Sequence, residues 1–225
     1  MKDKILTAHG FESTQYDIIY ADPPWDYDDK ASSGKRGASH KYPCMDLQDI
    51  MALPVKRLAA PDAILFMWHV GPMPLEALKV VDAWGFKVKN MKAFTWVKLN
   101  KRFASAVKKA FDIPNEQLQQ LGDDDILSMM HSLTKMGMGN WTRGNTEDVL
   151  VATRGRPKRL ENGVKQTVFA PHTGKHSEKP GEVRDRIVEL CGDKPRIELF
   201  SRGRYPGWDV WGNQVPSLKR NLKVA

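Results

Sequence analysis

The sequence predicts an α/β fold, in which helices cover both faces of a mostly parallel sheet. Short apolar and β-branched runs of strand length alternate with longer segments whose apolar residues recur at helical spacing. Such alternation is typical of strand–helix–strand units. The chain has 225 residues, of which 41% are hydrophobic and 28% are charged. Because this size and balance are typical of one globular domain, we expect residues 1–225 to form a single domain.

The first half of the chain supplies three predicted strands and two predicted helices. The strands are expected at residues 16–21, 63–68 and 86–98, where apolar and β-branched residues concentrate. The helices are expected at residues 46–51 and 75–84. The second helix stops before Gly85, a residue type that commonly follows a helix.

The second half begins with a stretch of different character, from about residue 101 to residue 135. It predicts helices at 103–110 and 125–130, with breaks at Pro114 and Gly122. The alternating pattern then returns. Strands are expected at residues 148–153, 166–169 and 196–200, and a helix is expected at residues 182–191.

Charge and cysteine content narrow the class of protein. The net charge of +8 makes a polyanion such as a nucleic acid a plausible partner. No stretch approaches the ~20 apolar residues that span a bilayer, and residues 1–6 are too polar for a signal peptide, so we expect no membrane association. Cys44 and Cys191 cannot build a disulfide framework, which favours a cytoplasmic location.

The tetrapeptide Asp22-Pro23-Pro24-Trp25 follows the first strand and carries the main functional prediction. Each proline lacks an N–H and pushes the preceding residue out of the helical region, so the segment neither continues the strand nor starts a helix. Its carbonyl groups are therefore free to face a ligand. A planar heterocycle with an amino group suits this set. Asp22 and the Pro23 carbonyl would accept its two N–H bonds, and Trp25 would contact its ring.

This arrangement predicts methyl transfer to an exocyclic amine. The lone pair of an adenine amine is delocalised into the ring, and two acceptors fixed on its hydrogens draw the nitrogen toward tetrahedral geometry. The freed lone pair then attacks the methyl group of a sulfonium donor. The competing interpretation is a strand-ending turn with a buried tryptophan.

The run from Ile19 to Trp25 resembles the catalytic motif of amino-methyltransferases. The chain resembles the adenine-N6 methyltransferase family that includes the catalytic subunit of the eukaryotic mRNA adenosine methyltransferase and many small bacterial and phage proteins, and its likeness to the latter favours DNA as the substrate. Further motifs occur in the family's order over roughly residues 15 to 215. They are Lys41-Tyr42-Pro43, Leu65-Phe66-Met67-Trp68, Ala83-Trp84-Gly85-Phe86, Trp96-Val97-Lys98, the segment 139–143, Thr153-Arg154-Gly155, Lys179-Pro180, the segment 198–202 and Gly212-Asn213-Gln214.

The resemblance implies a fold, a reaction and a cofactor. The implied fold is a Rossmann-like class I S-adenosylmethionine-dependent methyltransferase, an α/β/α sandwich that is permuted because the catalytic strand precedes the cofactor strand. The stretch 101–135 departs from the family pattern as a helical insertion. The implied catalytic residues are Asp22, Pro23, Pro24 and Trp25. The residues implied to bind S-adenosylmethionine are Asp22, Lys179, Glu198, Phe200, Arg202, Asn213 and Gln214. For Glu198 and Arg202, a surface ion pair is the competing interpretation.

Basic residues in several segments are candidates for nucleic-acid contacts, for which the competing interpretation is a solvated surface. The candidates are Lys35, Arg36, Tyr42, Arg143, Arg154, Arg156 and Lys158. The three-residue gap between His172 and His176 resembles half a zinc finger, but no paired cysteines accompany it, so we expect no metal site.

We therefore expect an enzyme that methylates the N6 amino group of adenine in DNA. RNA is the first alternative, because the sequence does not distinguish the two nucleic acids. A non-catalytic nucleic-acid-binding subunit of the same fold is the second, although the tetrapeptide at residues 22–25 is intact. Cytosine N4 or a protein glutamine is a third possible acceptor. The sequence leaves open a homodimer or association with a related subunit.

Overall fold

A computed structural model describes residues 4–11, 15–26, 44–137, 141–172 and 178–215. The strands are β1 Tyr16–Ala21, β2 Ala59–His69, β3 Lys87–Leu99, β4 Thr146–Arg154, β5 Thr167–Pro171, β6 Arg196–Leu199 and β7 Asp209–Trp211. The helices are α1 Lys4–Ala8, α2 Leu47–Ala52, α3 Val55–Leu58, α4 Pro74–Ala83, α5 Phe103–Phe111, α6 Asn115–Leu118, α7 Asp123–Ser132 and α8 Gly181–Cys191.

The strands form one seven-stranded sheet in the order β5-β3-β4-β2-β1-β6-β7. Strand β4 runs antiparallel to β2 and β3, and the other pairs are parallel. The prediction of a mostly parallel sheet is therefore confirmed, with one reversed strand. Because β4 is reversed, its first residue, Thr146, lies at the edge where the other strands end.

Both faces of the sheet are buried, as the apolar character of the central strands requires. In β1, Ile19 and Ala21 face a core that includes residues of helices α1 to α4, whereas Ile18 and Tyr20 face a second core that includes residues of α8. The α/β/α architecture and the predicted helix at 182–191 are thereby confirmed. Cys191 at the end of α8 is buried in the second core, which raises the pKa of its thiol to about 11.

The helices predicted in the stretch 101–135 are present as α5 and α7. Gly122 begins α7 as its N-cap, and its N–H donates to Asp125 Oδ2 at 3.0 Å. All residues of α6 and α7 are exposed or half-buried. The short elements α1, α6 and β7 were not predicted, because three to five residues leave little periodicity. Within the described residues, no helix is long and apolar enough to cross a membrane.

Candidate active site

The edge at which the parallel strands end brings together residues that are far apart in the sequence. Asp22 follows β1, His69 ends β2 and Phe200 follows β6, while Glu147 lies at the start of the reversed strand β4. Ligands of open α/β sheets bind at this edge. The predicted catalytic and cofactor segments therefore share one side of the molecule.

Backbone hydrogen bonds fix the tetrapeptide after β1. The N–H of Trp25 donates to the Pro23 carbonyl at 2.9 Å, and the N–H of Met45 donates to the Pro24 carbonyl at 3.1 Å. Trp25 is 3% exposed and its Nε1 donates to the Trp68 carbonyl at 3.2 Å. The tryptophan therefore anchors the turn in the core.

Four charged side chains form a chain of alternating sign beside this turn. Lys179 Nζ lies 2.9 Å from Asp22 Oδ2 and 3.3 Å from Glu147 Oε2. Lys98 Nζ lies 2.5 Å from the other carboxylate oxygen of Glu147. The Lys179 side chain is 8% exposed, and its Nζ also lies 5.2 Å from the centre of the Trp68 ring. Lys98 was noted in the sequence only as part of the motif Trp96-Val97-Lys98, and neither Lys98 nor Glu147 was predicted as a site residue.

Burial and neighbouring charges shift the pKa values in this chain. Burial raises the pKa of Asp22, and the Lys179 ammonium offsets part of that rise. Burial opposes the ionisation of Glu147 too, but Lys179 and Lys98 outweigh it and lower its pKa to about 2. Burial would lower the pKa of Lys179, yet the two carboxylates outweigh it and raise this pKa. At neutral pH, Glu147 is ionised and Lys179 is protonated, so Lys179 holds the Asp22 carboxyl in place.

Asp22 and Arg202 border three cavities. Two of them, which we call the Phe200 cavities, have volumes of about 330 and 420 Å³ and share Phe200 and Gln214. The third, which we call the Lys98 cavity, has a volume of about 480 Å³. Its lining includes Pro23, Trp25, His69, Lys98, Glu147 and His172. Asp22 thus borders both the Phe200 cavities and the Lys98 cavity.

Every residue predicted to bind the cofactor borders the Phe200 cavities. They are Asp22, Lys179, Glu198, Phe200, Arg202, Asn213 and Gln214. The Glu198 carboxylate is buried, and its two oxygens accept bonds of 2.6 and 2.8 Å from Arg184. The partner of Glu198 is therefore Arg184 rather than Arg202, and the pair lies inside the protein rather than on its surface. Arg184 was not identified from the sequence.

Phe200 and Gly212 give the Phe200 cavities their shape. Phe200 has φ of 61°, and among the described non-glycine residues no other φ is positive. Such a conformation costs about 1–3 kcal/mol and is found mostly at functional sites. The Phe200 ring packs edge-on against Trp211 at 5.5 Å. A Cβ on Gly212 would lie 2.3 Å from the Ser201 carbonyl oxygen, so only glycine allows the chain to pass here.

The predicted nucleic-acid contacts are divided between the two edges of the sheet. Arg154 pairs with Ala63 and Asp148 pairs with His69, so Arg154 lies six residues along β2 from the site edge, about 20 Å away. Its Nη1 donates to the Lys56 carbonyl at 2.6 Å. Arg156 and Lys158 follow it at this far edge, so these three residues do not surround Asp22.

The remaining candidates for nucleic-acid contacts and for a metal site lie in other parts of the chain. Arg143 is exposed just before β4, and Trp141 beside it is 99% exposed. Lys35, Arg36 and Tyr42 lie outside the described residues, as does His176. Within the part of the chain that the structure describes, no group of three or more histidine, cysteine, aspartate or glutamate side chains is arranged to hold a metal ion.

The fold defines a class: a Rossmann-like methyltransferase fold, in which the strand that leads into Asp22-Pro23-Pro24-Trp25 precedes β6 along the chain. The chain belongs to the MT-A70 family, whose family model matches residues 16–121 and 126–214. The four unmatched residues between these ranges lie within the stretch 101–135, and the family model matches the rest of that stretch.

Curated relatives agree with this assignment. The chain is 33% identical to the type II methyltransferase M.MunI from a Mycoplasma species, over 91% of this chain and 80% of the relative. It is 24% identical to the human N(6)-adenosine-methyltransferase catalytic subunit METTL3 and 28% identical to the human N(6)-adenine-specific methyltransferase METTL4. These matches span 91% and 89% of this chain, but only 29% and 37% of the human proteins.

Proposed function

We propose that the protein transfers a methyl group from S-adenosylmethionine to the N6 amino group of adenine in DNA. The observation that carries the proposal is the position of Asp22 between the Phe200 cavities and the Lys98 cavity. A transferase needs a donor and an acceptor held on either side of its reacting centre. Family membership and the intact tetrapeptide support the same reaction.

The residues around the Phe200 cavities fit the donor in chemical character. S-adenosylmethionine, when bound, supplies an activated methyl group on a sulfonium. Phe200 offers an aromatic face for its adenine ring. The amides of Asn213 and Gln214 offer donors and acceptors for its polar groups, and Arg202 offers a cation for its carboxylate. Asp22 offers a carboxylate to its ammonium.

The acceptor adenine is placed in the Lys98 cavity. Asp22 and the Pro23 carbonyl accept the two N6–H bonds; the carbonyl keeps one lone pair for this after binding the Trp25 N–H. Lys179 fixes Asp22 in that orientation. With the donor bound, the nitrogen lone pair would form the new N–C bond as the S–C bond breaks and a neutral thioether leaves, and the nitrogen would then release one N6 hydrogen as a proton to water. The chain performs this step by positioning and electrostatics.

The preference for DNA rests on how much of each relative's length the match covers. The match covers 80% of M.MunI but only 29% of METTL3, so the chain is similar to nearly the whole of one and to a part of the other. RNA is the second candidate because of the likeness to METTL3.

The two cysteines are free thiols, which suits a reducing cytoplasm.

The test is a methylation assay with isotopically labelled S-adenosylmethionine. Duplex DNA, single-stranded DNA and RNA are offered in parallel, and each is digested to nucleosides for mass spectrometry. We expect labelled N6-methyladenine from DNA. N6-methyladenosine from RNA alone would establish the second candidate. A methylated base in none of the three would refute the proposed activity and favour the non-catalytic subunit.

A further inference from the structure

The helical stretch 101–135, which the sequence predicted to be an insertion, borders a cavity at the site edge of the sheet. This cavity, which we call the insertion cavity, has a volume of about 720 Å³ and lies over the end of β3. Leu99 and Asn100 border it from the sheet, and Phe103 and Leu133 border it from the insertion. His172 borders both this cavity and the Lys98 cavity. The two spaces are therefore neighbours.

Backbone bonds tie the base of the insertion cavity to the sheet. The N–H of Lys135 donates to the Lys98 carbonyl at 2.7 Å, and the N–H of Asn100 donates to the Leu133 carbonyl at 2.8 Å. On the other side of β3, the N–H of His172 donates to the Leu99 carbonyl at 3.1 Å. The cavity thus has a fixed position relative to Lys98, although helices α6 and α7 beyond it are exposed.

The lining of the insertion cavity is cationic. Lys101, Arg102 and Lys135 border it, and no carboxylate does so among the described residues. None of these three cations forms an ion pair within the described part of the chain. Burial lowers the pKa of Lys135, and the charges of Lys98 and Lys101 lower it further. Unbalanced positive charge around this open cavity favours an anionic occupant.

The same cavity also offers apolar and aromatic surface. Leu99, Phe103 and Leu133 contribute hydrophobic walls. His172 stacks on Trp96 with an interplanar angle of 6°. Burial lowers the pKa of His172, as do Lys135 and Lys98, so its ring is neutral at neutral pH. An apolar wall beside cations suits a nucleotide, because a base prefers the former and a phosphate the latter.

We propose that the insertion cavity binds a nucleotide adjacent to the target adenine on the same nucleic-acid strand. The base packs against Phe103 and Leu133, and its phosphate contacts Lys101 and Lys135. This inference rests on the proposed function and adds to it a contact supplied by the insertion. A cavity that takes the neighbouring nucleotide holds the strand while the target base occupies the Lys98 cavity, which requires that base to be unstacked.

The phosphate contacts are tested with the double variant Lys101→Ala/Lys135→Ala. The matched control is Lys108→Ala/Lys109→Ala, which removes two cations from α5 away from the cavity lining. The affinity for single-stranded 13-mers with one central adenine and randomised flanks is measured by fluorescence anisotropy at several salt concentrations. Each lost phosphate contact should flatten the slope of log K against log salt by about 0.7. We expect a flattening of about 1.4 in the cavity variant and a smaller one in the control.

The base contact is tested with Phe103→Ala and with 13-mers that carry an abasic site on either side of the adenine. One abasic position should weaken binding to the wild type about 5- to 100-fold. The loss should be smaller for Phe103→Ala, whose folding is checked by circular dichroism. Equal salt slopes in cavity variant and control, together with equal abasic losses in wild type and Phe103→Ala, would overturn the proposal.

Methyl transfer to the same oligonucleotides separates this inference from the proposed function. If the wild type methylates the central adenine but neither the salt slope nor the abasic loss changes in the cavity variants, the nucleotide site is refuted and the proposed activity stands. A wild-type protein that shows both binding effects without methylating any base supports the site and refutes the activity.

Discussion

The two edges of the sheet use charged side chains in different ways. At the edge where β1 ends, Asp22, Lys179, Glu147 and Lys98 bind one another in sequence beside two sets of cavities. Charges that interact in a partly buried setting have shifted pKa values and fixed positions, which is how binding and catalytic groups are prepared. We therefore infer that this edge receives the ligand.

At the opposite edge, the charged groups around the end of β4 bind the backbone instead. Arg154 donates to the Lys56 carbonyl, and Asp62 Oδ1 accepts a 2.7 Å bond from the N–H of Arg156. A Cβ on Gly155 would lie 2.4 Å from the Pro61 carbonyl oxygen, so this loop is packed closely. These bonds hold the end of β4 against the start of β2. The partner of a charged group, rather than its presence alone, therefore distinguishes a site from a structural loop.

The largest difference between the edges is expected for two aspartates. Asp22→Asn should lower the rate of methyl transfer at least 100-fold, because the amide replaces the charged acceptor that orients the amine. Asp62→Asn should leave the rate within about twofold, since Asp62 binds only the far loop. The measurement is the initial rate with labelled S-adenosylmethionine and saturating DNA. An Asp22→Asn rate within tenfold of the wild type would refute the role of Asp22.

Two glycines, one at each edge, test the same difference through cofactor binding. Gly212→Ala and Gly155→Ala each force a Cβ against a backbone carbonyl, at 2.3 and 2.4 Å, so each should destabilise the fold by about 2 kcal/mol. Of these two glycines, only Gly212 borders a Phe200 cavity. Titration calorimetry should show S-adenosylmethionine binding weakened about tenfold or more by Gly212→Ala and unchanged by Gly155→Ala.

The control for both glycines is Gly181→Ala, at the start of α8. No heavy atom lies within 4 Å of the Cβ that this change would add. Its unfolding free energy and cofactor affinity should stay close to those of the wild type. If Gly155→Ala weakens cofactor binding as much as Gly212→Ala, a general loss of stability rather than the local fit explains both.

The ion pairs at the site edge should also contribute to stability in a pH-dependent way. The pKa of Glu147 in the folded protein is about 2, below its ordinary value of 4.5. Its contribution is therefore fully present above pH 4.5 and is lost as the pH falls toward 2. Partial exposure of the side chain limits this contribution to about 1–2 kcal/mol.

The measurement is the difference in unfolding free energy between the wild type and Glu147→Gln, from denaturant titrations between pH 2.5 and 7. The difference should be largest above pH 5 and shrink steadily below it. A difference that is constant across this range would show that the Glu147 carboxylate gains nothing from Lys98 and Lys179 in the folded state.

The direction of β4 explains what the sequence did and did not predict. Strand β1 and the tetrapeptide after it are local patterns, so both were found from residues 16–25 alone. Glu147 was missed because it meets Lys179 only when β4 runs against its neighbours. Arg154 was predicted to contact nucleic acid, and the same reversal places it at the edge far from Asp22. Strand direction depends on long-range pairing, which a local pattern does not encode.

The smallest effect is expected from the basic residues of the far edge. If Arg156 and Lys158 contact phosphates of a duplex that extends past the site, each substitution by alanine should flatten the slope of log K against log salt by about 0.9. The rate at saturating DNA should change little, because these residues lie about 20 Å from Asp22 along β2. Filter binding of duplex DNA between 50 and 200 mM salt measures the slope. An unchanged slope would show that the far edge makes no contact with DNA, so that nucleic-acid binding belongs to the site edge alone.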